Sequence, residues 1–454
     1  MASATTTNDI LSFLHFHTPT KEQKDALIAM EQFVQEDNTD DFLILSGAAG
    51  TGKSSISSAL IGYLNDRKVK YSIVAPTGRA ARILGRKAKT VSSTIHSLIY
   101  SPESDKETAV VKWTPKPNRS VAFTIFIVDE ASMIPALPPK QKDSLFQSDD
   151  SLLNHLAAFV KDGNKKNKII FLGDKNQLPP IGESTSLALD STYLIRKFNW
   201  SGNLYNLTEV KRVEDGSYII KTATRIREAI DKGGALQQVN EGTRHKNTWD
   251  AARDYAKNYD AGNPDAAITI GHYHGSNKFF NDEVRKILYG ANAPYLQKGD
   301  LLMVTSNWRR GEHMLYNGDH VVVEAVDTSR VENVAGIHFL PICIRAKSIS
   351  GEEQLIEDYM MVDILLSKKP ELMSEAENKL RGERFKKNKI FSESGNIEDD
   401  RYVGALCLAY GYAITCHKAQ GGEWEKVYVN TFGVKDNKWL YTAVTRTRED
   451  LNIF

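Results

Sequence analysis

An apolar run that ends in a glycine-rich loop sets the first constraint on this fold. Residues 42–56 read "FLILSGAAGTGKSSI", in which Phe42 to Leu45 lead into Gly47-Ala-Ala-Gly-Thr-Gly-Lys-Ser54. A short uninterrupted run of this kind suits a strand buried on both faces of a parallel sheet. The glycines permit a tight loop whose backbone N–H groups close around phosphate oxygens, and a helix starting near Lys53 adds its positive end. In that pattern Lys53 reaches the β- and γ-phosphates of a nucleotide and Ser54 holds Mg²⁺. Strand before and helix after make a chance glycine turn a poor explanation. Nucleotide binding is implied; kinases, switches and motors all share the loop, so the reaction must be read elsewhere.

Such a loop needs further buried strands beside it. "YSIVAPT" (71–77), "FTIFIVDE" (123–130) and "KIIFLGD" (168–174) supply them, with helical patterns between several of the runs. This predicts an α/β fold with a parallel sheet, whose chemistry lies at the carboxyl ends of the strands. Lys53, Thr77, Asp129, Glu130, Asp174 and Gln177 fall there. A second α/β pattern starts near residue 200 and includes "AAITIG" (266–271), "LLMVTSN" (301–307) and "KVYVNTF" (426–432). Polar, proline-bearing residues 100–121, with the alternating centre "TAVVKWT", read as a hairpin inserted in the first sheet. The expected organisation is a lead-in over 1–17, a first core over 18–99 and 122–195, and the hairpin over 100–121. A second core over 196–316 and 405–454 follows, interrupted by a small β-domain with a helical arm over 317–404.

Composition narrows the partners. The 454 residues carry 58 Lys and Arg against 57 Asp and Glu, so bulk charge cannot hold a nucleic acid and any such contact needs a local groove. Basic clusters at 82–89, 161–168 and 379–389 each read, taken alone, as solvated surface. Cys343, Cys407 and Cys416 lack disulfide or zinc spacing. No apolar stretch is long enough for a bilayer, and the first residues have no signal-type block. A cytoplasmic protein with no membrane partner is expected.

The motifs sharpen the chemistry. Asp129 and Glu130 close a buried strand; Asp129 is placed to ligate Mg²⁺ and Glu130 to polarise a water for attack on a γ-phosphate. This favours hydrolysis over transfer to a small acceptor. "GDKNQLPP" (173–180) ends the next strand, where Gln177 can sense the γ-phosphate and Asp174 orient the loop. Near the C-terminus stand "YAITCHKAQGGEW" (412–424) and "YTAVTRTR" (441–448). Arg446 and Arg448 are candidates for an arginine brought to the phosphate from another domain, or for a plain surface ion pair.

In order, these segments resemble the motifs of superfamily 1 helicases, in the 5′→3′ branch with RecD-like and Dda-like enzymes. "TPTKEQKDAL", with Gln23, resembles the adenine-reading Q motif, and "GAAGTGKS" is similar to motif I. "APTGRAA" (75–81) and "STIHSL" (93–98) resemble motifs Ia and Ib; "VDEAS" and "GDKNQLPP" resemble motifs II and III. "LTEVKR" (207–212), "YAITCHKAQGGEW" and "YTAVTRTR" resemble motifs IV, V and VI. "LTEVKR" looks more Dda-like, whereas "APTGRAA" and "YTAVTR" look more RecD-like. The resemblance implies two RecA-like P-loop cores with ATP between them. It assigns catalysis to Lys53, Glu130, Gln177, Arg212 and Arg446, and Mg²⁺ to Ser54 and Asp129. Nucleotide binding would fall to Gln23, Gly47, Gly50, Thr51, Gly52, Lys53, Ser54, Ser55 and Glu423. Single-stranded DNA would meet Pro76, Thr77, Thr94, His96, Thr415 and His417, although either histidine also fits a core role. The inserted hairpin would be the strand-separating pin, with Trp113 at its tip or packed beneath it, and the inserted β-domain the accessory barrel. A monomer acting on single strands and duplex junctions, alongside single-strand-binding or replication proteins, is the expected setting. The competing reading is a nucleotide-gated binding module, or a translocase, that does not unwind.

Overall fold

The computed structural model describes residues 9–14, 18–88, 90–104, 111–138, 150–210, 217–348, 351–367 and 374–454. The first part of the chain supplies β1 (Phe42–Gly47), β2 (Lys70–Ala75), β3 (Ser92–Thr94), β4 (Tyr100–Ser104), β5 (Val111–Pro115), β6 (Thr124–Val128), β7 (Lys168–Gly173) and β8 (Gly202–Leu207). All but β4 and β5 form one parallel sheet in the order β3-β2-β6-β7-β1-β8. Every residue of β1, β6 and β7 is buried, as their continuous apolar runs require. Alternate residues face opposite layers. Leu43, Leu45, Ile125 and Ile127 pack with helices α1 (Lys21–Phe33) and α2 (Lys53–Asp66), while Ile44, Phe126 and Val128 pack with Leu153, Leu156 and Val160 on the other face.

The hairpin is present: β4 and β5 pair antiparallel, with Pro102 opposite Trp113. Its tip, 105–110, and the Trp113 side chain lie outside the described residues. The boundary expected at residue 195 moves. Strand β8 hydrogen-bonds β1 throughout, so the first core runs to Leu207. "GNLYNL" is a half-exposed edge strand without an apolar run, which hid it from the sequence pattern.

The second core is also parallel, with β9 (Thr243–Arg244), β10 (Ala267–Gly271) and, after the insertion, β19 (Ala413–Thr415), β20 (Trp424–Val429) and β21 (Thr447–Ile453), in the order β19-β10-β20-β21-β9. Between β10 and β19 lie β11 (Leu301–Val304), β12 (Trp308–Arg310), β13 (His313–Leu315), β14 (His320–Val326), β15 (Glu332–Val334), β16 (Ile337–Lys347), β17 (Glu353–Met361) and β18 (Leu408–Tyr410). Strands β12 and β13 form a separate hairpin; the others make an antiparallel sheet. Because β11 and β18 pair in that sheet, the inserted domain is wider than 317–404, and "LLMVTSN" does not belong to the second core. A fully buried strand reads as the same apolar run whichever direction its neighbours take.

The insertion is clamped to the first core. Helix α3 (Gly78–Ala88) carries Arg82, which pairs with the buried Asp319 and donates to the Lys347 carbonyl at 3.1 Å, and Arg86, which donates to the Ser348 carbonyl at 3.2 Å. The basic cluster at 82–89 is therefore a docking face at Arg82 and Arg86. In the arm, Leu380 and Phe391 pack on Phe339, and Arg384 pairs with Asp400 at 2.9 Å. Cys343, Cys407 and Cys416 are free. Among the described residues no helix is long and apolar enough to cross a membrane.

Candidate active site

The phosphate loop is shaped by its glycines. Gly50 and Gly52 have φ of +82° and +88°, a region in which side chains are strained. Any Cβ on Gly52 would also lie 2.7 Å from the Gln23 Nε2. Thr20 and Gln23 form the capping box of α1: Gln23 N–H donates to the Thr20 hydroxyl at 3.1 Å, and Thr20 N–H to the Gln23 Oε1 at 2.9 Å. The Gln23 Nε2 then donates to the Thr51 carbonyl at 2.9 Å. Gln23 thus braces the loop and is 1% exposed. Lys53 turns back on the loop, donating to the Gly47 carbonyl and to the Ala48 carbonyl at 3.0 Å. Ser54 and Ser55 stand in the first turn of α2, where no acid opposes an incoming anion.

The acids come from adjacent strands. Asp129 follows β6, and its N–H donates to the Val74 carbonyl at 3.0 Å. Glu130 sits at φ +50°, an uncommon conformation for a residue with a side chain. It turns the chain off the strand into a short helical turn, leaving its half-buried carboxyl at the strand end. Burial and the Asp129 charge push the Glu130 carboxyl above its ordinary pKa, against the pull of Arg446 and Lys53. Ser54 and Asp129 offer hard oxygen donors, the type that suits Mg²⁺.

After β7, the buried Asp174 accepts from the Asn176 N–H at 3.0 Å. Gln177 is buried, and among the described residues its Oε1 has no hydrogen-bond partner. An orphaned buried amide oxygen costs about 1–3 kcal/mol, which a bound water or ligand would remove.

The second core completes the site. Arg446 is 5% exposed; it donates to the Thr442 carbonyl at 3.1 Å, the Gly422 carbonyl at 3.1 Å and the Thr445 hydroxyl at 3.2 Å. These bonds aim a guanidinium that acts electrostatically on Glu130 of the other core. Tyr441, midway along the helix Asn437–Val444, donates to the Asp174 carboxylate at 2.7 Å and accepts from the Ala49 N–H at 3.3 Å. One phenol thereby touches both the phosphate loop and the loop after β7. Around it, Leu178 N–H donates to the Thr442 hydroxyl at 2.9 Å and the Gln420 Nε2 to the Leu178 carbonyl at 2.9 Å.

Residues 30–183 match the family described as an AAA domain, and residues 410–454 that described as a UvrD-like helicase C-terminal domain. The two matches cover opposite walls of this cleft. Similarity to helicases is thus carried by residues 410–454, on the wall that supplies Tyr441 and Arg446. The chain is similar to the ATP-dependent RecD2 DNA helicase of Deinococcus radiodurans, 31% identical over 31% of this chain and 16% of that protein. It is also similar to the RecBCD enzyme subunit RecD of Buchnera aphidicola, 24% identical over 91% of this chain and 70% of the relative. The chain therefore spans a minor part of the first relative's length. A structure of two coordinating Pif1 helicases at forked double-stranded DNA has the same fold, with a TM-score of 0.52 at 17% identity over 96% of this chain and 92% of that one.

Of the residues that the motif resemblance assigns, Arg212 lies outside the described residues. Glu423 pairs with Arg448 at 3.4 Å, so Arg448 takes the ion-pair alternative while Arg446 is buried. Thr77 and Thr94 stand just after β2 and at the end of β3. Thr77 accepts from the Ala80 N–H at 3.2 Å, and Thr94, 5% exposed, accepts from the Ser97 N–H at 3.1 Å as a helix cap. Pro76 stands beside Thr77, half-buried. His96 is half-buried, 5.6 Å ring to ring from Tyr100, and burial lowers its pKa. Thr415 ends β19, and His417 hydrogen-bonds the Pro179 backbone, joining the two cores; burial and then His272 lower its pKa. The sequence reading missed Tyr441, Arg79 and Trp424. Arg79, buried, lies 4.3 Å from the Trp424 ring and 3.5 Å from Asp265. All three stood inside quoted motifs, and a charge or phenol among small residues was the available signal.

Proposed function

We propose that this chain hydrolyses ATP to move 5′→3′ along single-stranded DNA and to separate duplex DNA. The observation that carries the reading is the shared site: Tyr441 of one core bonds Asp174 and Ala49 of the other, and Arg446 acts electrostatically on Glu130. A site finished by a second domain ties nucleotide occupancy to domain closure. The RecD2 DNA helicase relative supports the DNA substrate, and the 5′→3′ direction rests on the motif resemblance.

Lys53 would exchange its carbonyl partners for β- and γ-phosphate oxygens, and Gln177 would meet the γ-phosphate. Glu130 would take a proton from the attacking water. Arg446, and Arg212 by family resemblance, would stabilise the charge that develops on the γ-phosphate. Magnesium, held by Ser54 and Asp129, would neutralise phosphate charge. Pro76, Thr77, Thr94, His96, Thr415 and His417 would track the strand, and the β4–β5 hairpin would part the duplex. The His417 bond to Pro179 offers a route from that strand to the γ-phosphate sensor.

The test is strand displacement on partial duplexes with a 5′ or a 3′ single-stranded tail, with ATP turnover followed in parallel. Unwinding of the 5′-tailed substrate alone is expected. Unwinding from the 3′ tail alone would overturn the polarity. Turnover without displacement would favour a translocase.

A further inference from the structure

The carboxyl ends of β10 and β20 carry exposed aromatic rings that the ATP site does not use. Phe432 is 73% exposed and Tyr273 46%. Their ring centroids are 6.5 Å apart at an interplanar angle of 67°, so Tyr273 buttresses Phe432 edge-on. The Tyr273 ring rests on Gly433: a Cβ there would lie 2.3 Å from the Tyr273 Cε2, and Gly433 has φ +77°. The loop is held in place. Phe432 N–H donates to the Asn430 Oδ1 at 3.0 Å, and Thr431 N–H to the Phe454 carbonyl at 2.9 Å. Two large rings held side by side in water offer a face to a ligand with a flat apolar surface.

The surroundings fit an anion. Tyr273 is the N-cap of the 16-residue helix His274–Tyr289, makes no side-chain cap bond, and no acid stands in the first turn. Asn277, 5% exposed and one turn into that helix beside Gly271, has both amide atoms buried without partners among the described residues. His272, His274 and Lys435 are exposed. Asp436 caps the helix Asn437–Val444, and Asp282, about two turns along the helix His274–Tyr289, pairs with Lys278 at 3.6 Å. His272 lies within electrostatic reach of His417, which makes the patch continuous with the expected strand path.

We infer that Phe432, buttressed by Tyr273, is a stacking platform for an unpaired base of single-stranded DNA, with a neighbouring phosphate at the first turn of the helix His274–Tyr289. The inference rests on the proposal that single-stranded DNA crosses the second core. A ring that stacks on any base adds affinity without sequence preference.

The test compares fluorescence anisotropy of a labelled oligothymidylate with that of an abasic strand of equal length, on the full chain. Wild type should prefer the thymidylate. Phe432→Ala should weaken thymidylate binding about 5- to 100-fold, the range for one stacked base, and leave the abasic strand unchanged. Phe432→Trp should restore the preference. Equal weakening of both strands would overturn stacking, because only the backbone path would have changed. Wild-type binding of both strands by Phe432→Ala would also overturn it and leave the patch to a protein partner. Wild type that holds ATP but neither strand would sink the DNA reading along with the platform.

Discussion

Replacing Tyr441 with phenylalanine should uncouple the two cores while leaving the nucleotide pocket standing. The ring is buried, so Phe keeps the packing and removes the hydroxyl. Two bonds are lost: the 2.7 Å bond to the Asp174 carboxylate and the 3.3 Å bond from the Ala49 N–H. A hydrogen bond to a charged group contributes about 1.5–3 kcal/mol, and the longer neutral bond about 0.5 kcal/mol. Their sum shifts the equilibrium between engaged and parted cores by roughly 30- to 300-fold. The Lys53, Gln23 and Thr51 contacts do not involve Tyr441, so ATP affinity without DNA should change by less than about threefold. DNA-stimulated kcat should fall about 10- to 100-fold, since only the engaged state hydrolyses. Steady-state turnover with and without oligothymidylate, beside titration of a fluorescent nucleotide, reads both quantities. An unchanged stimulated kcat would refute the latch. An equal loss of ATP affinity would make Tyr441 part of the phosphate loop's own structure.

Glu130→Gln should retain ATP and DNA but lose about 10²- to 10⁴-fold in single-turnover hydrolysis, the range for a general base. Among the described residues His320 has both ring nitrogens buried and unpartnered, near the charges of Arg79, Arg82 and Asp265; burial and then Arg79 push its pKa down to about 3. The unfolded chain therefore binds a proton here that the folded one refuses between about pH 6.5 and 3, and stability falls by up to about 1.4 kcal/mol for each pH unit lost in that window. His320→Phe should flatten that part of the curve in denaturant titrations; an unchanged slope would place the acid sensitivity elsewhere. Thr20→Ala should cost about 1 kcal/mol by opening the capping box, seen as a lower urea midpoint at unchanged m-value.

The parts of this molecule that were legible in the sequence share a physical cause. A parallel strand buried on both faces must be apolar throughout, so β1, β6 and β7 announce themselves, and the groups that follow them fall where a parallel sheet exposes its chemistry. The edge strand β8 is half-exposed and carries no such signature. Strand β11 carries the signature but not its direction, so its place in the antiparallel sheet became visible only in three dimensions. Arg82 illustrates the other limit: a basic residue in a basic cluster looks solvated until Asp319, far along the chain, is seen against it. Tyr441 was hidden in the same way, because its two partners lie in segments near Ala49 and Asp174.

The central claim is that the hydrolytic site is shared between two cores, with Arg446 supplied by the second. The most direct measurement is single-turnover ATP hydrolysis by Arg446→Ala in the presence of saturating single-stranded DNA, with nucleotide affinity determined on the same preparation. The account predicts near wild-type nucleotide affinity and a rate lowered by about 10³-fold or more, the effect of removing an arginine that acts across a domain interface. Hydrolysis at the wild-type rate would contradict it and leave the first core as a complete active site by itself.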